Sequence, residues 1–223
     1  STRYAKSGGA LFLKTPSEEA LVKDIEKAIE ENVKLLIIEK KHKDLPVLAK
    51  IPHILCDNCF TAGVKMCAKI REDSGIKAVG VTGSVGKTTT KDMIYSVLKE
   101  GFVTRAGFGN ENTFRALFKN MQKMQCNTEF FVQEYGANKP GVMPRTVEAC
   151  IPNASVVTCI AEPHLDNFLT KENIMKEKLK MAEKMEPGCP VFLNYDDELL
   201  KTVEMEDRPV VFFSMDNPEA DYY

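Results

Sequence analysis

The hydrophobic positions of the chain form short apolar runs that alternate with amphipathic stretches. The runs predict strands at 10–13, 35–38, 53–55, 78–81, 130–133, 155–160, 191–194 and 210–213. Helical spacing predicts helices at 58–72, 91–100 and 173–186, and a further helix that starts near Pro16–Glu19, with Ser17 as its cap. Strands that alternate with helices are typical of an α/β fold with a mainly parallel sheet flanked by helices.

The polar segment Asp73-Ser74-Gly75 interrupts this pattern. It predicts a boundary between a small N-terminal α/β unit, residues 1–75, and a larger central domain, residues 76–223. In the predicted helix 91–100, the apolar residues Ile94, Val97 and Leu98 are expected to face the core. Ligands of parallel α/β sheets bind beyond the carboxyl ends of the strands, so the residues that follow each strand are the first candidates for a binding site.

The apolar run 78–81 leads directly into Thr82-Gly83-Ser84-Val85-Gly86-Lys87-Thr88-Thr89, which in turn opens a helix. Backbone amides of such a turn point at phosphate groups, and the helix N-terminus adds partial positive charge. The strict P-loop pattern has glycine where this chain has Val81. We expect a P-loop central domain whose residues 82–89 contact a nucleoside triphosphate, with Lys87 at the β and γ phosphates and the Thr88 hydroxyl on Mg²⁺.

Two further strand ends carry polar residues. Glu134 follows the run 130–133, where a metal ligand beside a phosphate loop is expected. His164 follows the run 155–160 on the same edge of the predicted sheet. A single histidine is also compatible with a solvated loop or a packed core, so the metal-ligand interpretation of His164 has these alternatives.

Lys178 lies within the apolar arc of the predicted helix 173–186, while the other charged residues of that helix lie on the opposite side. One interpretation is that the long side chain carries its ammonium group to the rim of the core. The other is that burial lowers the pKa of the amine, which then forms a carbamate with CO₂ and so becomes an oxygen ligand for Mg²⁺.

Several motifs resemble those of one family in their order along the chain. They are Val-Thr-Gly-Ser-Val-Gly-Lys-Thr-Thr-Thr (81–90), Gln-Glu-Tyr-Gly-Ala-Asn-Lys-Pro-Gly (133–141), Glu-Pro-His-Leu-Asp-Asn-Phe (162–168), Lys-Glu-Lys (176–178) and Leu-Asn-Tyr-Asp-Asp (193–197). Together they resemble the Mur ligases, which join amino acids to the peptidoglycan precursor. The segment 133–141 is most similar to the branch that adds D-alanyl-D-alanine to the UDP-N-acetylmuramoyl tripeptide.

The resemblance implies an ATP- and Mg²⁺-dependent amide ligase. Such an enzyme activates the carboxylate of a UDP-muramoyl-peptide as an acyl phosphate, which the amine of D-Ala-D-Ala or another amino acid attacks. It implies Lys87, His164 and Lys178 as catalytic residues. The implied Mg²⁺ ligands are Thr88, Glu134, His164 and carbamylated Lys178. Asn110, within Gly109-Asn110-Glu111-Asn112, is implied as a contact near the phosphates, whereas Asp196 and Asp197 are expected to cap or turn the chain.

The resemblance also covers the N-terminal unit, loosely. Ser1-Thr2-Arg3-Tyr4 and then Ala10-Leu11-Phe12 resemble the entry into the family's UDP-substrate domain, which implies that residues 1–75 are part of that domain. The family has a third, C-terminal domain, which we expect to be absent because the chain ends at Tyr223.

Composition excludes several other classes of protein. The net charge of −2 gives no reason to expect a nucleic-acid or membrane partner. The sequence has neither a run of eighteen apolar residues nor a recognisable signal peptide, and its seven cysteines form no dense framework, so we expect a cytoplasmic protein with free thiols. The pair Cys56-x-x-Cys59 permits a metal or redox interpretation, but the spacing of Cys59 and Cys67 favours core packing.

Three other functions remain open at this point. One is a related ligase of the folylpolyglutamate type, and another is a different P-loop enzyme such as a kinase. A GTPase is disfavoured because Asn138-Lys139-Pro140-Gly141 lacks the aspartate of the guanine motif. The third is a nucleotide-binding fragment without catalysis.

Overall fold

A computed structural model describes residues 9–13, 17–110, 112–161 and 165–223, and the chain falls into two compact units, 1–65 and 66–223. The strands are β1 Ala10–Phe12, β2 Leu35–Glu39, β3 His53–Cys56, β4 Lys77–Thr82, β5 Thr104–Ala106, β6 Phe130–Glu134, β7 Ala154–Val157, β8 Val191–Asn194 and β9 Val210–Phe213. The helices are α1 Glu18–Glu30, α2 Cys59–Ser74, α3 Lys87–Leu98, α4 Phe114–Met121, α5 Val142–Val147, α6 Leu165–Phe168 and α7 Lys171–Glu183. No helix among the described residues is long and apolar enough to span a membrane.

The first unit contains a parallel sheet in the order β1-β2-β3. Helix α1 starts where predicted, because the Ser17 hydroxyl accepts a hydrogen bond from the Ala20 amide at 3.2 Å. Its apolar face buries Leu21 and Ile25 in a core that also contains Leu36 of β2. Helix α2 begins in this unit and ends in the second one.

The second unit is built on a six-stranded sheet in the order β5-β6-β4-β7-β8-β9, and every neighbouring pair is parallel. Helices α3 to α7 connect the strands, which confirms the predicted α/β fold with a mainly parallel sheet. β4 lies between β6 and β7, so the ends of three strands meet around the segment that leaves β4. β5 was not predicted because its residues, Thr104-Arg105-Ala106, form no apolar run.

Helix α3 differs from its prediction in extent and in the exposure of Val97, whereas Ile94 and Leu98 pack against the core as predicted. It begins four residues earlier, at Lys87, and ends at Leu98. Lys91 is buried with 1% of its side chain exposed, whereas Val97, predicted to face the core, is 74% exposed. The prediction for Val97 is wrong because the inward face of the helix consists of Lys91, Ile94 and Leu98, and Val97 lies off that face. Apolar periodicity cannot detect the contribution of Lys91.

Helix α7 buries Lys178, in agreement with its place in the apolar arc. It also buries Glu177, which was predicted on the polar side. The Glu177 carboxylate accepts a hydrogen bond from the Met143 amide at 2.9 Å and pairs with Lys180 at 2.7 Å, so its charge is compensated inside the protein. Strand β7 ends at Val157, so the last three residues of the predicted strand form a loop beside the residues that follow β4.

Candidate functional site

A glycine-rich loop, residues 83–86, joins the carboxyl end of β4 to the first turn of α3. Gly86 precedes the helix with a φ of 79°, which glycine adopts without a steric penalty. Gly83 has a φ of 147°, and a Cβ atom on it would lie 1.9 Å from the hydroxyl oxygen of Thr158. Because the unpaired amides of a first helical turn attract anions, this loop has the form of a phosphate-binding cradle.

The chain that follows β7 holds the loop in shape. The Thr158 hydroxyl donates a hydrogen bond to the Val85 carbonyl at 2.5 Å, and the Ser84 amide donates to the Cys159 carbonyl at 2.8 Å. The Ala161 amide donates to the Ser84 hydroxyl oxygen at 2.9 Å. These bonds between two segments of the chain hold the loop in this conformation.

Two lysine side chains lie against this loop. Lys87 donates from Nζ to the Ser84 carbonyl at 3.0 Å, and Lys178 donates from Nζ to the Gly83 carbonyl at 2.9 Å. Burial lowers the pKa of Lys178 from 10.5 to about 8, and the positive charge of Lys87 acts in the same direction. Lys178 therefore loses its proton, and becomes a neutral and nucleophilic amine, at a lower pH than a solvated lysine does.

Glu134, the last residue of β6, lies opposite Val81 of β4 and therefore beside the loop. Its buried carboxylate accepts hydrogen bonds from the Thr88 hydroxyl at 2.7 Å and from the Asn112 side-chain amide at 2.9 Å. The described part of the chain contains no cluster of three or more His, Cys, Asp or Glu residues that could hold a metal ion. A cation at this point would therefore combine the Glu134 carboxylate with the Thr88 hydroxyl and with ligands from outside the chain.

Lys91 anchors the segment that brings Asn112 to this site. Its ammonium group donates to the Gly107 carbonyl at 2.6 Å and to the Gly109 carbonyl at 2.8 Å, and it pairs with Asp92 at 3.1 Å. Three oxygen partners match the three N–H donors of an ammonium group, which explains how a lysine is tolerated in the core. Sequence reasoning missed Lys91 because its charge contradicts the apolar period of the helix.

Asn110 and Asn112 belong to the same sequence motif but have different positions. Asn110, the predicted nucleotide contact, is exposed, and its role stays a prediction. Asn112 bonds Glu134, and its carbonyl accepts a hydrogen bond from the Gly136 amide at 3.1 Å. A Cβ atom on Gly136 would lie 2.6 Å from the Asn112 side chain, so glycine is required for this approach. The sequence motif marked both asparagines as candidates for the site, but nothing in the sequence favoured Asn112 over Asn110.

The other predicted site residues have varied surroundings. Thr82 is buried, and its hydroxyl donates to the Tyr135 carbonyl at 2.9 Å, so its side chain ties β4 to the end of β6. The side chains of Val85 and Thr89 are exposed. His164 lies outside the described residues, and its role as a metal ligand stays a prediction.

The expected capping role agrees with the contacts of Asp197, whereas the Asp196 carboxylate bonds the chain that follows β9. Asp197 accepts hydrogen bonds from the Leu199 and Leu200 amides, both at 3.0 Å. Its other oxygen accepts from the Ile160 amide at 2.6 Å, in the segment that supports the loop. Asp196 accepts from the Ser214 hydroxyl at 2.5 Å, and this bond is the main reason that its pKa is lowered.

Comparison with known proteins identifies this architecture. Residues 81–223 match the family model of the Mur ligase middle domain. The UDP-N-acetylmuramoyl-tripeptide–D-alanyl-D-alanine ligase of Rickettsia prowazekii is 32% identical over 171 residues, which cover 77% of this chain and 35% of that protein. The ligase of the same name from Bacillus subtilis is 31% identical over 178 residues, which cover 79% of this chain and 38% of that protein. The chain thus spans little more than a third of the length of these relatives.

Solved structures support the same fold. A MurF crystal structure from Acinetobacter baumannii has a TM-score of 0.84 at 22% identity and covers 97% of this chain and 47% of that one. The MurF ligase of Thermotoga maritima in complex with ADP has a TM-score of 0.82 at 20% identity and covers 97% of this chain and 50% of that one. The structural likeness supports the fold, and the family match covers the loop, Glu134 and Lys178 alike. The chain therefore belongs to the Mur ligase family.

Proposed function

We propose that this chain supplies the nucleotide-binding part of an ATP-dependent ligase that joins D-alanyl-D-alanine to a UDP-N-acetylmuramoyl tripeptide. Relatives that are about a third identical carry this name, and the Thermotoga maritima structure holds ADP. The observation that supports the proposal most directly is the meeting of the phosphate cradle, Lys87, Lys178 and the Thr88–Glu134 pair at one edge of the sheet. We assign residues 76–223 to the nucleotide domain and residues 1–75 to part of the UDP-substrate domain, in a cytoplasmic protein.

The loop and Lys87 would bind the phosphates of ATP. The first amides of α3 have no partner within the helix and would donate to the phosphates. Lys87 would exchange its bond to the Ser84 carbonyl for the β and γ phosphate oxygens. In phosphoryl transfer, positioning and positive charge supply most of the catalysis, because negative charge moves among crowded oxygens. Lys87 would therefore stabilise the negative charge that develops on the phosphate oxygens as the substrate carboxylate attacks the γ-phosphate.

Mg²⁺ fits the donors at Glu134. A carboxylate and a hydroxyl are oxygen ligands of the kind that this ion prefers, and the Thr88 hydroxyl is already 2.7 Å from the carboxylate. Thr88 and Glu134 would hold the ion, which when bound neutralises phosphate charge. Asn112 would keep the second carboxylate oxygen fixed, so that the ligand does not rotate away.

Lys178 would act as a carbamate together with His164, at a second Mg²⁺. The neutral amine adds to the carbon of CO₂, an N–C bond forms, and one proton leaves to solvent. The product is a carboxylate at a position where the pKa of the parent amine is lowered to about 8. Lys178 would give up its bond to the Gly83 carbonyl in this reaction, which frees that part of the loop.

The activity is tested by phosphate release from ATP with the full-length gene product, across a matrix of UDP-muramoyl peptides and amine acceptors. Release that requires both the UDP-tripeptide and D-Ala-D-Ala is the expected result, and Lys87→Ala should abolish it. A folate with glutamate serves as the competing substrate pair. Release that depends on that pair, or on no acceptor at all, would show a different P-loop enzyme.

The role of Lys178 is tested by Lys178→Ala, with and without short-chain carboxylic acids. The variant should lose activity and regain part of it when the acids are added, because they replace the missing carboxylate. Lys176→Ala, which removes an exposed lysine of the same helix, is the matched control. A Lys178→Ala variant as active as the wild type would exclude the carbamate.

A further inference from the structure

The cysteine pair of the first unit remains outside the proposed mechanism. Cys56 is the last residue of β3, and Cys59 is the first residue of α2. Both are in the thiol form, and their sulfur atoms are 3.7 Å apart. A disulfide bond needs a sulfur–sulfur distance of about 2.05 Å, so the two sulfurs have to approach by roughly 1.7 Å. Side-chain rotation at the end of a strand and the start of a helix can supply a movement of this size.

The two thiols differ in access and in charge environment. Cys56 is half-buried, whereas Cys59 is buried. The Cys59 amide donates to the buried Glu39 carboxylate at 3.2 Å, and Glu39 pairs with Lys41 at 2.7 Å. An incoming disulfide therefore reaches the sulfur of the half-buried Cys56 more easily than that of the buried Cys59. This asymmetry makes Cys56 the nucleophile and Cys59 the second, resolving thiol.

We propose that Cys56 and Cys59 form a thiol–disulfide exchange site that accepts a low-molecular-weight disulfide. The Cys56 thiolate, after losing its proton to solvent, attacks one sulfur of the disulfide RSSR, an S–S bond forms, and RS⁻ leaves. The Cys59 thiolate then attacks the Cys56 sulfur of the mixed disulfide, and the second RS⁻ leaves. The two cysteines are oxidised, RSSR is reduced to two RSH after protonation, and the protein gains a disulfide across two intervening residues.

Closure of this disulfide would change contacts at the carboxyl edge of the three-stranded sheet. The Cys56 thiol donates to the Ile38 carbonyl at 3.5 Å, and the Cys59 thiol donates to the Leu13 carbonyl at 3.4 Å. Both donors disappear on oxidation, so the Leu13 carbonyl, which follows β1, and the Ile38 carbonyl of β2 each lose a hydrogen bond. The oxidation state therefore affects the edge of the sheet where ligands of parallel folds bind.

The test uses the reduced full chain, equilibrated without oxygen in mixtures of reduced and oxidised glutathione. After an acid quench and alkylation, mass spectrometry of the peptides reads the state of each cysteine. As the buffer becomes more oxidising, the peptide with Cys56 and Cys59 should lose both alkylation sites together. Cys126→Ser, which removes an exposed cysteine of the second unit, should leave this transition unchanged.

Two variants separate the roles of the pair. Cys59→Ser should trap glutathione on Cys56, and Cys56→Ser should acquire glutathione on Cys59 at least about tenfold more slowly. Circular dichroism checks folding, and Cys59→Ala replaces Cys59→Ser if the hydroxyl is not tolerated in the core. The proposal is overturned if the pair stays reduced in the most oxidising buffer, or if the two variants react at equal rates.

Discussion

Replacing Lys91 with methionine removes the charge that anchors residues 107–110 while retaining most of the side-chain volume. The Gly107 carbonyl, which is buried, then lacks the ammonium donor now 2.6 Å away. An unsatisfied buried carbonyl costs about 1–3 kcal/mol. The exposed Gly109 carbonyl can bond water instead, so its loss of the ammonium group adds little to this cost. The variant also no longer buries an ammonium group, which offsets part of the cost. We expect the free energy of unfolding to fall by about 1–3 kcal/mol.

Urea unfolding of the purified chain measures this change, and hydrogen exchange locates it. Amides of residues 107–110 should exchange at least about tenfold faster in Lys91→Met, while those of β4 should change only with global stability. Lys99→Met, at an exposed position just after the same helix, should stay within about 0.5 kcal/mol of the wild type. If Lys91→Met matches the wild type in both measurements, the ammonium group does not anchor residues 107–110.

Three further changes test the site. Glu134→Gln should raise the Mg²⁺ concentration needed for nucleotide binding at least about tenfold, as measured by titration with a fluorescent ATP analogue, and an unchanged requirement would remove Glu134 from the metal site. Gly83→Ala should weaken nucleotide binding at least about tenfold because the new Cβ would lie 1.9 Å from the Thr158 hydroxyl, whereas Gly101→Ala, with open space around its Cβ, should not. The pKa of Lys178 is lowered from 10.5 to about 8, so between these pH values the unfolded chain binds more protons, and the free energy of unfolding should rise with pH by up to about 1.4 kcal/mol per unit relative to Lys178→Met. Below pH 8 the difference in the free energy of unfolding between the wild type and Lys178→Met should be constant. If this difference is also constant from about pH 7 to pH 10, the reasoning is contradicted.

Much of the fold followed from apolar runs alone. All eight predicted strands overlap strands of the structure, because a strand buried in a parallel sheet is apolar along its whole length. The errors lie where this signal fails. β5 has no apolar run, because it contains a threonine and an arginine. Residues 158–160, Thr-Cys-Ile, continue the β-type pattern of the run before them although they leave the sheet.

The site was predictable only in part. The loop 82–89 and Glu134 could be found because local motifs and strand ends carry that information. Lys91, Asn112 and Glu177 could not, because each is stabilised by a partner distant in sequence, and a burial pattern read along one helix treats a charge as a solvated position. Long-range polar pairing is therefore the information that sequence periodicity lacks.

The bonds between residues 82–85 and 158–161 also bear on the order in which the protein matures. They join positions more than seventy residues apart, so the cradle acquires its shape only after β7 has docked beside β4. A chain still being synthesised, or one truncated before Thr158, would contain the whole glycine-rich motif without a formed anion site. Affinity for phosphate would then serve as a late marker of completed folding, and immature chains would not compete for nucleotide.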